Sequence, residues 1–129
     1  MRSGSASPLK GRCKLIKSIL SELLEIQGVN IAAVVSRDGF VIESTALGKV
    51  DIDALGAMTS TGIRYYEILG YELKKGGVRQ VVLDLNKGTI ILIPISNEVF
   101  MAIITDPKAN TGFITHESGK TRGRLMAAM

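Results

Sequence analysis

The string with the most specific chemical claim in this 129-residue chain is Ser118-Gly119-Lys120-Thr121, which matches the end of a phosphate-binding loop. The full pattern is G-x-x-x-x-G-K-[ST], following a strand and opening a helix, with free backbone N–H groups cradling the phosphates. Here Ile114 stands where the first glycine is required, and Gly112 comes two residues too early. The string also falls inside a stretch that reads as helix, so it is taken as helix surface. The single His, His116, stands beside Glu117 in the same stretch and reads as part of a solvent-facing pair, not as a general base. Cys13 has no His near it in sequence to activate a thiolate. No set of His, Cys and carboxylates has metal-ligand spacing. Asp53, Glu67 and Glu72 lie on one helical stretch and read as solvated charges. The residues therefore point to a non-catalytic protein with no cofactor and no metal.

Composition narrows the class further. Hydrophobic residues make up 46% of the chain and aromatics only 5%, with no Trp, so the core is aliphatic. The length suits one domain that can build its core without disulfide or metal staples. A lone cysteine cannot form an internal disulfide, and a reducing, cytoplasmic setting is the natural reading. No apolar run reaches the roughly 18 residues of a membrane span, which argues against direct membrane insertion. The net charge is +4, with positive residues gathered at the two ends: Arg2, Lys10, Arg12, Lys14 and Lys17, then Lys108, Lys120, Arg122 and Arg124. Nucleic-acid binding calls for a basic face with interleaved aromatics, which this pattern lacks. Residues 1–13 are basic, rich in Ser and Gly, and without an apolar signal core, so they are expected to form a flexible tail before a single domain over 14–129.

Periodicity places the elements. Leu15, Ile16, Ile19, Leu20, Leu23 and Leu24 give helical spacing over 14–27, and Gly28 suits the stop. Residues 31–36 and 40–44 read as strands joined by an Asp38-Gly39 hairpin turn. Residues 51–75 are long enough for one helix of about seven turns. Asp51 or Asp53 can cap it, and Lys74 and Lys75 suit its C-terminal end. Three strands follow over 78–85, 89–95 and 99–105; the first alternates as an edge strand does, and the other two are apolar on both faces. Pro94 must sit near the end of its strand. In 110–129, Phe113, Ile114, Thr121 and Leu125 fit a helix face, which Gly119 and Gly123 weaken by about 1 kcal/mol each. Central strands apolar on both faces need cover on both sides. The expected fold is an α+β three-layer sandwich: a five-stranded antiparallel sheet with the long helix on one face and the terminal helices on the other.

The long helix carries two apolar stripes. Ile52, Leu55, Thr59, Ile63, Tyr66, Leu69 and Leu73 share one face; Ala54, Ala57, Met58, Thr61, Tyr65 and Ile68 form a second beside it. Asp53, Ser60, Arg64, Glu67, Tyr71 and Lys74 take most of the remainder. A surface helix needs one stripe for its own core, so the second means either a helix sunk deeper than usual in that core or packing on something outside the domain. The small residues of the second stripe, which permit close helix approach, favour the latter.

The element order resembles that of the roadblock / dynein light chain family, which includes MglB-type regulators of Ras-like GTPases. The resemblance rests on Glu25-Ile26-Gln27-Gly28-Val29 at the first helix exit, on Val34-Val35-Ser36-Arg37-Asp38-Gly39-Phe40-Val41-Ile42 as the first hairpin, and on the long helix. Leu92-Ile93-Pro94-Ile95, Met101-Ala102-Ile103 and Asn110-Thr111-Gly112 resemble the last two strands and the start of the final helix. The glycines in that helix and the basic ends depart from the family pattern. The resemblance implies a homodimer, or a heterodimer with a paralogous roadblock chain, built by pairing the 78–85 edge strands and packing the long helices side by side. It implies an interface drawn from Ala54, Ala57, Met58, Thr61, Tyr65, Ile68, Val81 and Val82. It also implies a Ras-like small GTPase as partner, whose GTP hydrolysis the dimer can stimulate by reshaping the GTPase's own site. Arg64, on the polar side of the long helix, is the GTPase contact to test, set against its reading as a solvated helix charge. Two other classes stay open: a structural adaptor subunit of a motor or membrane-tethered complex, and a ligand-sensing module of similar longin-, profilin- or PAS-like fold. A sensor needs inward polar groups in an apolar pocket, and the strands have few.

Overall fold

The computed structural model describes residues 3–129, with side chains from Gly11 onward. Residues 1 and 2 of the expected tail lie outside the described residues. Three helices, α1 (Ser3–Leu24), α2 (Ile52–Glu72) and α3 (Thr111–Ala128), alternate with five strands, β1 (Val29–Ser36), β2 (Val41–Ala46), β3 (Val81–Leu85), β4 (Gly88–Pro94) and β5 (Val99–Thr105). The sheet is antiparallel throughout, in the order β2-β1-β5-β4-β3. The three-layer α+β sandwich is as expected, and β3 is an edge strand.

Strand alternation divides the core. On one face, Val34, Ile91, Met101 and Ile103 meet Ile16, Leu20 and Leu23 of α1 and Ile114 and Leu125 of α3. On the other face, Ala33, Val35, Leu92, Phe100 and Ala102 meet Ile63 of α2. Fully burying an aliphatic side chain of this size contributes roughly 1.5–3 kcal/mol. β5 has neighbours on both sides and is buried on both faces, which is why its sequence, VFMAIIT, does not alternate.

α1 starts at Ser3, ahead of the residue-14 start that apolar spacing predicts. From Gly11 onward its buried stripe is Ile16, Ile19, Leu20 and Leu23. α3 runs unbroken through Gly119 and Gly123, capped by Asn110, whose side chain accepts from the Phe113 N–H at 3.0 Å. Its buried stripe is Ile114, Ser118, Thr121 and Leu125, while Phe113 is exposed. The two buried hydroxyls donate to carbonyls of their own helix: Ser118 to Thr115 at 2.7 Å, Thr121 to Glu117 at 3.1 Å. That satisfies polar groups that would otherwise cost free energy to bury. The Ser118–Thr121 string is thus helix interior, and its hydroxyls serve packing.

Candidate functional site

The candidate site is built on α2. Asp51 caps the helix, its carboxylate accepting from the Ala54 N–H at 3.1 Å. The side that meets the sheet is Gly56, Ser60 and Ile63, with Glu67 half-buried beyond. This corrects the expectation from helical spacing, which set Ser60 and Glu67 outside both apolar stripes. A close approach by the β1–β2 hairpin explains the rotation. Gly39 takes a φ of +98° at its tip, and a Cβ on Gly56 would stand 2.5 Å from the Gly39 carbonyl oxygen. Only a small residue admits that contact, so the helix seats on Gly56, Ser60 and Ile63, and of its bulkier stripe only Ile63 is fully buried, with Leu55 packed partly buried beside it.

Arg37, just before the hairpin tip, locks the seat. Its guanidinium pairs with Glu67 of α2, donates to the Ser96 carbonyl at 3.2 Å, and lies 5.8 Å from the centroid of the Phe100 ring. Its backbone N–H donates to the Glu98 carbonyl at 2.8 Å. Helix, hairpin and the β4–β5 turn are thereby tied to one side chain that is about four-fifths buried. Arg64 reaches back to the Arg37 carbonyl at 3.5 Å and is otherwise exposed. Arg37, Ser60, Arg64, Glu67, Tyr71 and Asn97 line a polar recess of about 280 Å³ between these elements.

The seat leaves an apolar surface uncovered. Of the second stripe, Ala57, Met58, Thr61, Tyr65 and Ile68 are exposed and Ala54 is half-buried; Met58 reaches 73%, Tyr65 67% and Ile68 50%. Tyr66, Leu69 and Leu73 of the first stripe are exposed as well, because the helix is rotated onto its small residues. On the same side of the sheet, Val81, Ile90 and Ile104 pack against the core but stay half-buried. Val82 points to the opposite face and is 45% exposed at the free edge of β3. Contiguous exposed apolar surface of this kind marks interaction sites on soluble domains. Tyr66, Leu69 and Leu73 were missed as surface; the signal for them was the Gly56/Ser60 pair one turn apart, beside an Asp-Gly hairpin.

The residues that could do chemistry do not converge. His116 is exposed on α3, and Cys13 is half-exposed on α1. Among the described residues no group of three or more His, Cys, Asp or Glu side chains is placed to hold a metal ion. No helix among them is long and apolar enough to cross a membrane.

The chain belongs to the Roadblock/LC7 domain family, matching it over residues 15–105. It is 31% identical over 100 residues to the uncharacterized protein MJ0310 of Methanocaldococcus jannaschii, covering 78% of this chain and 87% of that one. Its fold is similar to a solved structure of MglB with tetrameric arrangement, at a TM-score of 0.85 and 15% identity over 91% of this chain and 89% of that one. It is similar too to the gliding protein mglB of Thermus thermophilus, at a TM-score of 0.84 and 15% identity over 91% and 90%.

Proposed function

We propose that this chain is a dimeric, non-catalytic regulator or scaffold that works in the cytoplasm by binding a Ras-like small GTPase. The observation that carries the reading is the uncovered apolar face of α2, with Met58, Tyr65 and Ile68 at least half exposed on a helix already seated on its own sheet by the opposite side. In a two-fold contact one patch serves both protomers, so a self-complementary helix face is enough to make a dimer. Pairing of the β3 edges, with Val81 and Val82 at the seam, disposes of an edge that otherwise invites uncontrolled strand addition. Membership of the roadblock family and the likeness to MglB structures, one of them tetrameric, support self-association and a GTPase partner. Arg64, exposed at the rim of the polar recess and held among the described residues by the Arg37 carbonyl alone, is the residue proposed to touch the GTPase.

The test is single-turnover GTP hydrolysis by a Ras-like GTPase of the same organism, with and without this chain, with complex formation followed by light scattering. The reading expects a complex selective for the GTP state. Faster turnover within that complex identifies an activator, and unchanged turnover a scaffold. A chain that ignores the GTPase in both nucleotide states contradicts the proposal.

A further inference from the structure

The groove between the start of the β3 edge and α3 is independent of the α2 surface, because it lies on the opposite face of the sheet. It is an open cleft of about 790 Å³. β3 joins the ladder only at Val81, opposite Leu92, so residues 78–80 stand outside the ladder beside Ile93 and Pro94. That unpaired stretch of β4 leaves the Pro94 carbonyl free to accept from Arg122 Nε of α3 at 2.7 Å. The bond fixes the half-buried guanidinium in orientation while sparing its two terminal amino groups, which have no partner among the described residues. Arg37 and Arg124, by contrast, are paired with Glu67 and Glu22. Arg79 lines the same groove, and no Asp or Glu does. Gly119 lines it from α3, and a Cβ there would meet nothing within 4 Å, so a longer side chain at this position has open space beside the groove to occupy.

We propose that this groove binds a phosphate monoester. Two guanidinium groups with no carboxylate among the lining residues favour a dianion, and the planar fork of a guanidinium matches two phosphate oxygens at once. A phosphate monoester carries close to two negative charges at and above about pH 7. Val78, with the edge of Ile93, supplies an apolar wall for the organic part, and the volume falls within the usual range for small-molecule sites. The site differs from a phosphate-binding loop in that its donors are side chains; the backbone N–H groups of α3 are engaged in the helix.

Calorimetric titration of the full chain with phenyl phosphate and with inorganic phosphate tests this. The expected result is saturable binding of both, with phenyl phosphate several-fold tighter because it also covers the apolar wall. Arg122→Gln should weaken both by about tenfold or more, the loss of charge-assisted donors, and Arg122→Lys should fall between. Gly119→Leu, at an open helix position that tolerates a side chain, should weaken phenyl phosphate more than inorganic phosphate. Circular dichroism on each variant confirms that the fold persists. Absence of saturable binding, equal affinity for the two ligands, or undiminished binding by a folded Arg122→Gln protein each overturns the proposal.

Discussion

Gly56 shows how a residue without a side chain can decide which way a helix faces. The wheel ranked faces by apolar side chains and therefore set Ile52, Leu55, Ile63, Tyr66, Leu69 and Leu73 toward the core. Of these only Ile63 is fully buried. Gly56 and Ser60 win because backbone-to-backbone approach at Gly39 brings the hairpin tip closer than any larger residue allows. Ser60 was legible as polar but not as buried, since its hydroxyl donates to the Ala57 carbonyl at 3.0 Å and so needs no water. Gly56→Ala tests the point. In an open helix the change would stabilise by about 1 kcal/mol. Here the added methyl must displace the hairpin, so a net loss of about 1–3 kcal/mol is expected in chemical denaturation. A net gain would mean that the hairpin does not press on the helix.

Elements with strong apolar periodicity were legible; elements held by polar contacts were less so. β4 and β5 announced themselves as central strands by being apolar on both faces, and β3 as an edge by alternating. The final helix was obscured by Gly119 and Gly123 and by Ser118, a buried polar residue that a hydrophobic pattern does not register. Its tie to α1 was not visible in sequence either, because Arg124 and Glu22 lie 102 residues apart. Both guanidinium arms donate to the carboxylate at 2.8 Å. That hydrogen-bonded pairing with Arg124 holds the Glu22 carboxyl below its ordinary value of 4.5. A carboxyl lowered in the folded state adds stability that is present above its unfolded value and disappears as pH falls through the folded one. The difference in denaturation midpoint between the native chain and Glu22→Gln should thus be constant at neutral pH and shrink below 4.5. A difference that persists unchanged in acid would show that the pair does not link α1 to α3 in this way.

At the scale of the whole molecule, one sheet face is well covered and the other is not. α1 and α3 together cover the first face except for the groove beside β3, whereas α2 rests chiefly on β1 and β2 and leaves Ile90, Ile104 and Val81 half-buried toward the free edge. The second stripe of α2 was legible from sequence because its spacing is helical and its residues are apolar. What the wheel understated was the extent of the uncovered surface, since it assigned Tyr66, Leu69 and Leu73 to the interior. A domain with this much apolar helix exposed has a physical reason to associate, and the most direct measurement of that claim is solution mass. Light scattering of the native chain should report a dimer or larger assembly. Tyr65→Asp with Ile68→Asp, both on the exposed stripe and away from the Gly56–Ser60 seat, should shift the mass to the monomer while circular dichroism and the thermal midpoint of the monomer core persist. A native mass retained by the folded double variant would contradict the account, because the outward face of α2 would then not be what holds the protomers together.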